Sequence, residues 1–341
     1  MVAERRVITT PSSQMGMKKQ KWLWAPGGEG VIPLNTGTIC AGQGGEGKST
    51  FLMYLAAMLT RGKLEGEFMG RRGSVLILSP EDSWEHTINP RLVAAGASRN
   101  HIHQMQIEVE SNSTTHMEEA RFPLDIDQLK DAVKQTRAKM VIIDPAPALM
   151  AGDLNKVGDV RAAYDPLIRL AQEMNIAAVT VNHFGKSNGS VSQKLSGSHA
   201  WRDVFRSYLA FASDPDTDEK IVTVNKSNYG RVDLSFGYRL VDTPVEVDDR
   251  EVTQVGRVNF MGRVTNSVDE VLLNEAKRQS GKEPTQAERI LDCFESAQTL
   301  MDAQRIATQT GIKVANVRTN LTRLRDQGRL KSSGAGIYCL S

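Results

Sequence analysis

The chain has 341 residues, of which 40% are hydrophobic and 24% are charged, a composition typical of a globular protein with one large core and a smaller second domain. A formal net charge of +2 is too small to indicate a nucleic-acid partner, so any basic surface must be local. Three widely separated cysteines exclude a disulfide framework and a metal-spaced pair, and no apolar run reaches the roughly 18 residues of a membrane span. We therefore expect a cytoplasmic protein without a membrane partner.

The N-terminal segment, residues 1–21, is polar and basic and lacks an apolar signal core, so we expect a flexible tail. Trp22 and Trp24 open the part of the chain that is expected to be ordered. Two interpretations fit the tryptophans, which are packing at the edge of a sheet and stacking on nucleic-acid bases. Edge packing is favoured.

A glycine-rich stretch between an apolar strand (38–41) and an apolar helix (49–59) carries the phosphate-binding loop pattern G-x-x-x-x-G-K-[ST]. Its glycines let the backbone curl tightly and turn successive N–H groups toward the phosphates of a nucleotide. We expect Lys48 to reach the β- and γ-phosphates of ATP and Ser49 to hold Mg²⁺ through its hydroxyl. The predicted nucleotide-binding residues are Gly42, Gln43, Gly44, Gly45, Glu46, Gly47, Lys48, Ser49 and Thr50.

The next apolar run, 73–79, is predicted to be a buried parallel strand, and Glu81 and Asp82 follow it almost directly. In open α/β sheets, ligands bind at the carboxyl ends of the strands, so these two carboxylates are candidate site residues. The alternative is that Asp82 or the neighbouring Ser83 caps the following helix.

Two later strands also end in residues with chemistry to offer. The strand predicted over 140–143 is followed by Asp144, which we interpret as a second Mg²⁺ ligand because a phosphate-loop ATPase needs an acid there. The strand predicted over 176–181 is followed by Asn182 and His183. His183 fits either a sensor of the γ-phosphate or a structural histidine.

The remaining predicted elements alternate between helices and strands. They are a helix over 85–97 broken by Pro90, a strand over 104–110, helices over 124–137 and 160–174, an antiparallel edge hairpin of 207–212 and 221–224, and further short strands reaching Val264.

The C-terminal part of the chain is predicted to be separate. Residues 265–283 are charged and weakly amphipathic and are expected to connect two domains. Thr285 and Glu288 form a capping-box pattern at the start of the first helix after the connection. Three helices (286–296, 302–310 and 314–327) and a final hairpin indicate a winged helix-turn-helix domain over 284–341. Because this domain carries a net charge of +3 and Arg318, Arg323 and Arg325 lie on its third helix, it fits DNA contact or protein docking.

From about Trp22 to Gly237 the sequence resembles the RecA-like ATPase core of RepA-type plasmid replicative helicases and their phage relatives. The resemblance implies an α/β fold over 22–264, with a mostly parallel twisted sheet flanked by helices. The winged helix is not part of the minimal RepA pattern. Beyond the phosphate loop, the resemblance rests on Ser79-Pro-Glu-Asp, Arg91-Leu-Val-Ala-Ala-Gly-Ala, Ile143-Asp144, Asn182-His-Phe-Gly-Lys186, Gly197-Ser-His-Ala-Trp-Arg-Asp-Val-Phe-Arg206 and Asn225-Lys-Ser-Asn-Tyr-Gly230.

The resemblance assigns roles to several of these residues. Glu81 would be the general base that orients the attacking water, and Asp144 the acid that holds Mg²⁺. His183 would link the γ-phosphate to the DNA-binding loops. Arg206 would be an arginine finger for the neighbouring subunit's nucleotide, with Lys226 as a second cation at the same interface.

The resemblance also implies partners. The loops Ala146–Asp159 and Ser187–Ser196 would face a central channel and contact single-stranded DNA, although neither carries an aromatic residue for base stacking. A homo-oligomer is expected, with a hexamer as the implied ring. A primase, an initiator or another replication protein would bind through the winged helix.

Three functions fit these features. The first is an ATP-driven ring helicase or translocase for DNA replication. The second is a RecA-like ATPase that loads or remodels replication or recombination proteins on DNA without unwinding it. The third is a DNA-binding regulator in which ATP switches the winged helix. The first is favoured, because the resemblance extends over about two thirds of the chain.

Overall fold

The computed structural model of the chain describes residues 6–111, 114–185, 191, 199–214, 217, 219–248, 250–279, 284–297, 299–334 and 336–340. The strands, in chain order, are β1 (Trp22–Trp24), β2 (Ile32–Pro33), β3 (Thr36–Gly42), β4 (Ser74–Leu78), β5 (Ile102–Gln104), β6 (Ile107–Ser111), β7 (Thr114–Glu118), β8 (Ala138–Ile143), β9 (Ala177–His183), β10 (Ser207–Ser213), β11 (Lys220–Ser227), β12 (Ser235–Glu246), β13 (Val252–Val264), β14 (Met301–Asp302), β15 (Leu330–Gly334) and β16 (Ile337–Leu340). The α-helices are α1 (Lys48–Thr60), α2 (Asn89–Ala94), α3 (Ile126–Thr136), α4 (Val157–Met174), α5 (His199–Val204), α6 (Val268–Gln279), α7 (Gln286–Ala297), α8 (Ala303–Thr310) and α9 (Val314–Asp326).

The central sheet has nine strands in the spatial order β13-β12-β11-β10-β3-β9-β8-β4-β5. The strands from β10 to β5 in this order are parallel, and β11, β12 and β13 extend the sheet with antiparallel pairs. Since all seven residues of β3 are buried, this strand lies in the interior of the fold, as its continuous apolar sequence predicts. The predicted α/β fold with a mostly parallel sheet flanked by helices is confirmed.

Alternation of side chains along the strands divides the core between the two faces of the sheet. On β3, Ile39 and Ala41 face one cluster and Cys40 faces the other. The first cluster contains buried residues of α3, α4 and α5, and the second contains the apolar side of α1. Helices on both faces are the arrangement that covers a buried parallel sheet.

Two details of the predicted strands are wrong. The hairpin of β10 and β11 does not form an edge, because β10 pairs with β3 on its other side and the long strands β12 and β13 continue beyond β11. The strand predicted over 104–110 is interrupted at residues 105–106, so that β5 joins the central sheet and β6 pairs with β7 in a separate hairpin. These pairings join residues far apart in the sequence, which local patterns do not specify.

The helix predicted over 85–97 divides near Pro90, as its sequence predicts. Trp84–Ile88 form a π-helical turn, and α2 begins at Asn89 with Pro90 in its first turn. Proline is tolerated in the first turn of a helix because its missing N–H has no partner there. The side chain of Ser83 accepts a hydrogen bond from the backbone N–H of His86, so the capping interpretation applies to Ser83.

Most of the predicted connection at 265–283 forms helix α6. Its Val268, Val271 and Leu272 are buried in the same cluster as α4 and β10. The spacing of these residues places them on one face of the helix. Residues 268–272 therefore belong structurally to the first core.

The three predicted C-terminal helices and the hairpin are present. Helices α7, α8 and α9 and the three-stranded sheet β14-β16-β15 enclose their own apolar cluster, which includes Phe294, Leu321 and Leu330. The capping box is confirmed, since Thr285 Oγ1 accepts the N–H of Glu288 at 3.0 Å and the Glu288 carboxylate accepts the N–H of Thr285 at 2.7 Å. Of the helices in the described part of the chain, none is both long enough and apolar enough to cross a membrane.

Candidate nucleotide site

The carboxyl ends of β3, β4, β8 and β9 lie at one edge of the sheet because these strands are parallel. A cavity of about 330 Å³ opens at this edge. It brings together the phosphate loop and the polar residues that the sequence places at the strand ends. Among its lining residues are Gly45, Gly47, Lys48, Ser49, Thr50, Glu81, Asp82, Asp144 and His183.

The conformation of the phosphate loop explains its glycines. Gly45 and Gly47 have φ angles of 83° and 77°, in the left-handed region that glycine adopts without a Cβ clash. At Gly42 the constraint is contact, since a Cβ there would lie 2.6 Å from the carbonyl oxygen of Phe211 on the adjacent strand. A side chain at Gly42 would therefore push β3 away from β10.

Lys48 is the first residue of α1 and is buried. Its ammonium group donates hydrogen bonds to the carbonyl oxygens of Gly42 at 3.0 Å and Gln43 at 2.7 Å. Burial lowers the pKa of Lys48, and the nearby carboxylates of Asp144 and Glu46 oppose this shift. The cation is thus held at the base of the loop, where a nucleotide's phosphates would enter.

The antiparallel extension of the sheet supports the phosphate loop from outside. Tyr238 on β12 donates a hydrogen bond from its hydroxyl to the Glu46 carbonyl at 2.6 Å. Lys220 on β11 donates to the Gly45 carbonyl at 3.0 Å and to Ser213 Oγ at 2.8 Å. Ser213 Oγ in turn donates to the Glu46 carboxylate at 2.5 Å.

These supporting residues were not predicted from the sequence. They are more than 160 positions away from the loop, and no local pattern distinguishes them from other strand residues. The loop's two central carbonyls are nevertheless held by strands β11 and β12, so the extension of the sheet is part of the nucleotide site.

Asp144 is buried at the end of β8, and its backbone N–H donates to the Leu78 carbonyl at 2.9 Å. Burial raises the pKa of its carboxyl from the ordinary 3.8 to about 6, while a hydrogen bond from the Ser49 hydroxyl acts in the opposite direction. The negative charges of Asp82 and Glu81 also raise this pKa. A cation next to Asp144 would therefore be strongly favoured.

The residues present fit Mg²⁺. Ser49 and Asp144 offer two hard oxygen donors that already contact each other, which suits a cation that prefers oxygen ligands. Across the described residues there is no cluster of three or more His, Cys, Asp or Glu side chains that could hold a metal ion. Two protein oxygens suffice when the phosphates of a nucleotide supply further ligands, as is usual for Mg²⁺.

Glu81 and Asp82 have different surroundings, although they are neighbours. The carboxylate of Asp82 forms an ion pair with the guanidinium of Arg91 at 2.8 Å. No ion pair or hydrogen bond holds the Glu81 side chain within the described part of the chain. Glu81 thus keeps its carboxylate available to a water molecule in the cavity, as a general base requires. Arg91 belongs to the motif that carries the family resemblance, but its contact with Asp82 was not predicted.

His183 ends β9 directly opposite Gly42, the first glycine of the loop. Partial burial and the Lys48 ammonium lower the pKa of the imidazole, and Glu81 opposes the shift. The side-chain oxygen of Asn182 accepts the backbone N–H of His183 at 2.8 Å, which fixes the end of the strand. Its position beside Lys48 and Glu81 suits a neutral hydrogen-bonding contact to the γ-phosphate.

Arg206 does not line this cavity. Its backbone N–H donates to the Gly37 carbonyl at the start of β3, so it lies at the opposite edge of the sheet, roughly 17 Å from Gly42 along the strand. Its residue is exposed. Lys226 lies beside it, but its ammonium donates to the carbonyls of Phe205, at 2.9 Å, and Arg202, and therefore caps the end of α5.

The two predicted DNA-binding loops follow β8 and β9 at the nucleotide edge. Ala146–Asp159 contains a 3-10 turn, Ala146–Leu149, and runs into the start of α4. Ser187–Ser196 lies outside the described residues except for Val191, and so do Lys186 and Lys194. Val191 is buried, and its carbonyl accepts the Tyr208 hydroxyl at 3.3 Å.

A parallel sheet with a glycine-rich loop, a buried lysine and acids on adjacent strand ends is the site of a phosphate-loop ATPase. In agreement with this class, a family model described as an AAA domain matches residues 12–189, more than half of the chain. The chain belongs to this family of AAA domains. One solved structure, itself an ATPase domain, aligns with a TM-score of 0.45 and 12% identity, over 61% of this chain and 82% of that chain. None of the curated proteins matches the sequence.

Proposed function

We propose that this chain is a ring-forming DNA helicase or translocase of the RepA-like replicative type, in which ATP is hydrolysed at subunit interfaces. The observation that carries the proposal is the position of Arg206, which is exposed and far from the phosphate loop of its own chain. Among the described residues that line the nucleotide cavity, the only arginine is Arg91, and it is paired with Asp82. The site thus needs a cation from elsewhere to stabilise the charge that develops on the transferred phosphoryl group.

Each residue of the site then has a defined task. Lys48 and the loop N–H groups bind the β- and γ-phosphates, and Glu81 orients the attacking water. Ser49 and Asp144 would hold Mg²⁺, which when bound neutralises charge on the phosphates. His183 contacts the γ-phosphate at the end of β9. Arg206 of the neighbouring subunit completes the site only when two subunits close together.

The remaining parts of the proposal concern DNA. Single-stranded DNA would contact Ala146–Asp159 and Ser187–Ser196, which follow the same strand ends as the catalytic residues. In support, the first loop begins two residues after Asp144. The C-terminal domain has the helix and strand order of a winged helix, and we assign it the binding of duplex DNA or of another replication protein. A hexamer is the ring size that the RepA resemblance implies.

The decisive experiment mixes two inactive variants. Arg206→Ala keeps an intact phosphate loop and should bind ATP normally while losing on the order of a thousandfold in turnover. Lys48→Ala keeps an intact Arg206 but cannot grip the phosphates. In a mixed ring, some interfaces pair a good loop with a good arginine, so ATPase activity should reappear.

Controls make the result interpretable. Arg169→Ala, which removes an exposed arginine from α4, should keep full turnover. Co-assembly of the two inactive variants is checked with a tag on one of them. If the variants co-assemble at several ratios and stay inactive, then Arg206 does not act across the interface and the proposal fails.

A further inference from the structure

A second cavity, of about 470 Å³, lies at the edge of the sheet opposite the nucleotide site. It opens where β4 and β8 begin, at Ser74 and Ala138. Because β4 spans five residues, roughly 15 Å of strand separates this cavity from the Glu81 end. The cavity has no part in the ATPase chemistry described above.

The lining of this cavity is basic. Four cationic side chains surround it, namely those of Arg72, Lys134, Arg137 and Lys139, and no acidic residue is among its described lining residues. They come from three different elements, which are the loop before β4, the end of α3 and strand β8. The floor between them is apolar and includes Val133 and Met174.

Most of this positive charge is not neutralised. Lys134 forms an ion pair with Asp131 at 3.1 Å. Arg72, Arg137 and Lys139 have no ion-pair partner in the part of the chain that the structure describes. Like charges held around one cavity repel each other at distances below the Debye length of about 10 Å, and a bound anion would relieve the repulsion.

Arg137 shows that the cation is kept at a local cost. It ends α3 in the left-handed conformation, with φ 54°. Glycine or asparagine is the usual residue at this position, because a longer side chain is strained there. Helix α4 ends in the same way at Asn175, with the residue type that the conformation favours. Attraction of a cation to the helix C-terminus explains Lys134 and Arg137, but not Arg72 or Lys139, which belong to other elements.

We propose that this basic cavity binds the phosphodiester backbone of a single nucleic-acid strand, outside the two predicted DNA loops. Guanidinium groups of Arg72 and Arg137 match phosphate oxygens with paired N–H donors. The apolar floor of Val133 and Met174 accommodates a sugar or a base. The site depends neither on ring assembly nor on the Arg206 assignment.

The test measures binding of the full chain to a fluorescein-labelled oligothymidylate over a series of salt concentrations, by anisotropy. For single strands the logarithmic salt slope changes by about 0.7 for each phosphate contact. The triple variant Arg72→Gln/Arg137→Gly/Lys139→Gln should therefore lower the slope by about 2 and weaken binding. An unchanged slope and affinity, or no binding by the wild-type chain, would overturn the proposal.

Arg137→Gly alone separates binding from folding. Glycine relieves the strained left-handed conformation, so the midpoint of thermal unfolding should stay the same or rise. The salt slope should still fall by about 0.7. The matched control is Arg257→Gln, which removes an exposed arginine from β13 at the other side of the sheet and should leave the slope unchanged.

Two competitors distinguish nucleic acid from other anions. Unlabelled oligothymidylate should displace the probe, whereas polyglutamate of the same total charge should displace it poorly, because it lacks sugars and bases for the apolar floor. Equal displacement by polyglutamate would mean that the cavity recognises charge alone, against the proposal. Basal ATP hydrolysis should persist in all of these variants, since the nucleotide cavity lies at the other edge.

Discussion

Arg91 forms an ion pair with Asp82, with 2.8 Å between the guanidinium nitrogen and the carboxylate oxygen. Both groups are about one-third exposed, at 30% and 36% of the side chain, so the pair itself contributes little to stability. Its consequence is chemical. It occupies the carboxylate of Asp82 and leaves the adjacent carboxylate of Glu81 for the attacking water.

Exchange of the two acids for amides tests this division. Glu81→Gln should keep ATP affinity and lower turnover by about 100- to 10,000-fold, the range of a lost general base. Asp82→Asn removes only half of the ion pair and should lower turnover far less. Single-turnover hydrolysis and nucleotide titration measure the two effects. The opposite ranking would place the base at Asp82.

Tyr238→Phe tests the support of the phosphate loop by the sheet extension. The substitution removes the hydroxyl that donates to the Glu46 carbonyl at 2.6 Å and keeps the buried ring. A net hydrogen bond contributes about 0.5–1.5 kcal/mol, so KM for ATP should rise by about 2- to 10-fold with kcat nearly unchanged. Tyr208→Phe, which removes another buried hydroxyl far from the loop, is the control and should leave KM unchanged.

Asp144→Asn should stabilise the nucleotide-free protein while it abolishes Mg²⁺-dependent hydrolysis. Burial raises the pKa of Asp144 from 3.8 to about 6, so its ionised form is disfavoured in the folded protein. At neutral pH, removal of the charge should increase the free energy of unfolding by up to about 3 kcal/mol. Urea unfolding of both proteins measures the difference. Equal stability at pH 7.5 would contradict the burial argument.

The pH dependence of that difference has a fixed sign. Between about pH 4 and pH 6 the folded protein binds a proton at Asp144 that the unfolded chain has released, so the stability of the wild type falls as the pH rises through this interval. The penalty is complete above the folded pKa. The advantage of Asp144→Asn should therefore be largest above pH 6 and shrink toward pH 4.

The phosphate loop, Asp144 and Glu81 could be predicted because each is defined by a few consecutive residues at the end of an apolar strand. Their meeting in one cavity follows from the parallel order of the strands. Tyr238 and Lys220 could not be predicted in the same way, because their contacts with the loop depend on the pairing of distant antiparallel strands. The interior position of β10 was missed for the same reason.

Helix α6 is a different case, since its signal was present in the sequence. Val268, Val271 and Leu272 have the helical spacing of a buried face, but charged residues around them hid the pattern. The role of Arg206 lies beyond both kinds of pattern, because the surface that it would meet belongs to another copy of the chain.

Two truncations should behave differently because of α6. A protein that ends at residue 283 keeps α6 and removes only the C-terminal domain, which has its own apolar cluster. We expect it to fold and to keep basal ATPase activity. A protein that ends at residue 264 removes Val268, Val271 and Leu272 from the core and should aggregate or unfold at a lower temperature. Size-exclusion chromatography and thermal unfolding of the pair distinguish these outcomes, and aggregation of both would show that the two clusters form one cooperative unit.

Trp201 connects the first predicted DNA loop to the arginine proposed to act across the interface. Its indole N–H donates to the Leu154 carbonyl at 3.2 Å, and its ring is fully buried and parallel to that of Phe205, with 6.5 Å between ring centres. Arg206 is the next residue after Phe205, and Lys226 holds the end of the same helix through the Phe205 carbonyl. A displacement of Leu154 by DNA would therefore be passed through a rigid side chain to Arg206.

Trp201→Phe should separate the basal rate from its stimulation by DNA. The smaller ring keeps most of the packing against Tyr164 and Phe205 but loses the hydrogen bond to the loop. We expect ATP hydrolysis without DNA to stay within about 2-fold of the wild type, which is less than the loss of one net hydrogen bond of about 1 kcal/mol would cause if that bond acted on the basal rate. Stimulation by single-stranded DNA should be strongly reduced. The control is Trp24→Phe, the same substitution at a buried tryptophan of β1, which should leave the stimulation ratio unchanged. If Trp201→Phe lowers both rates and the unfolding midpoint together, its role is packing alone, and the connection between loop and arginine does not pass through this residue.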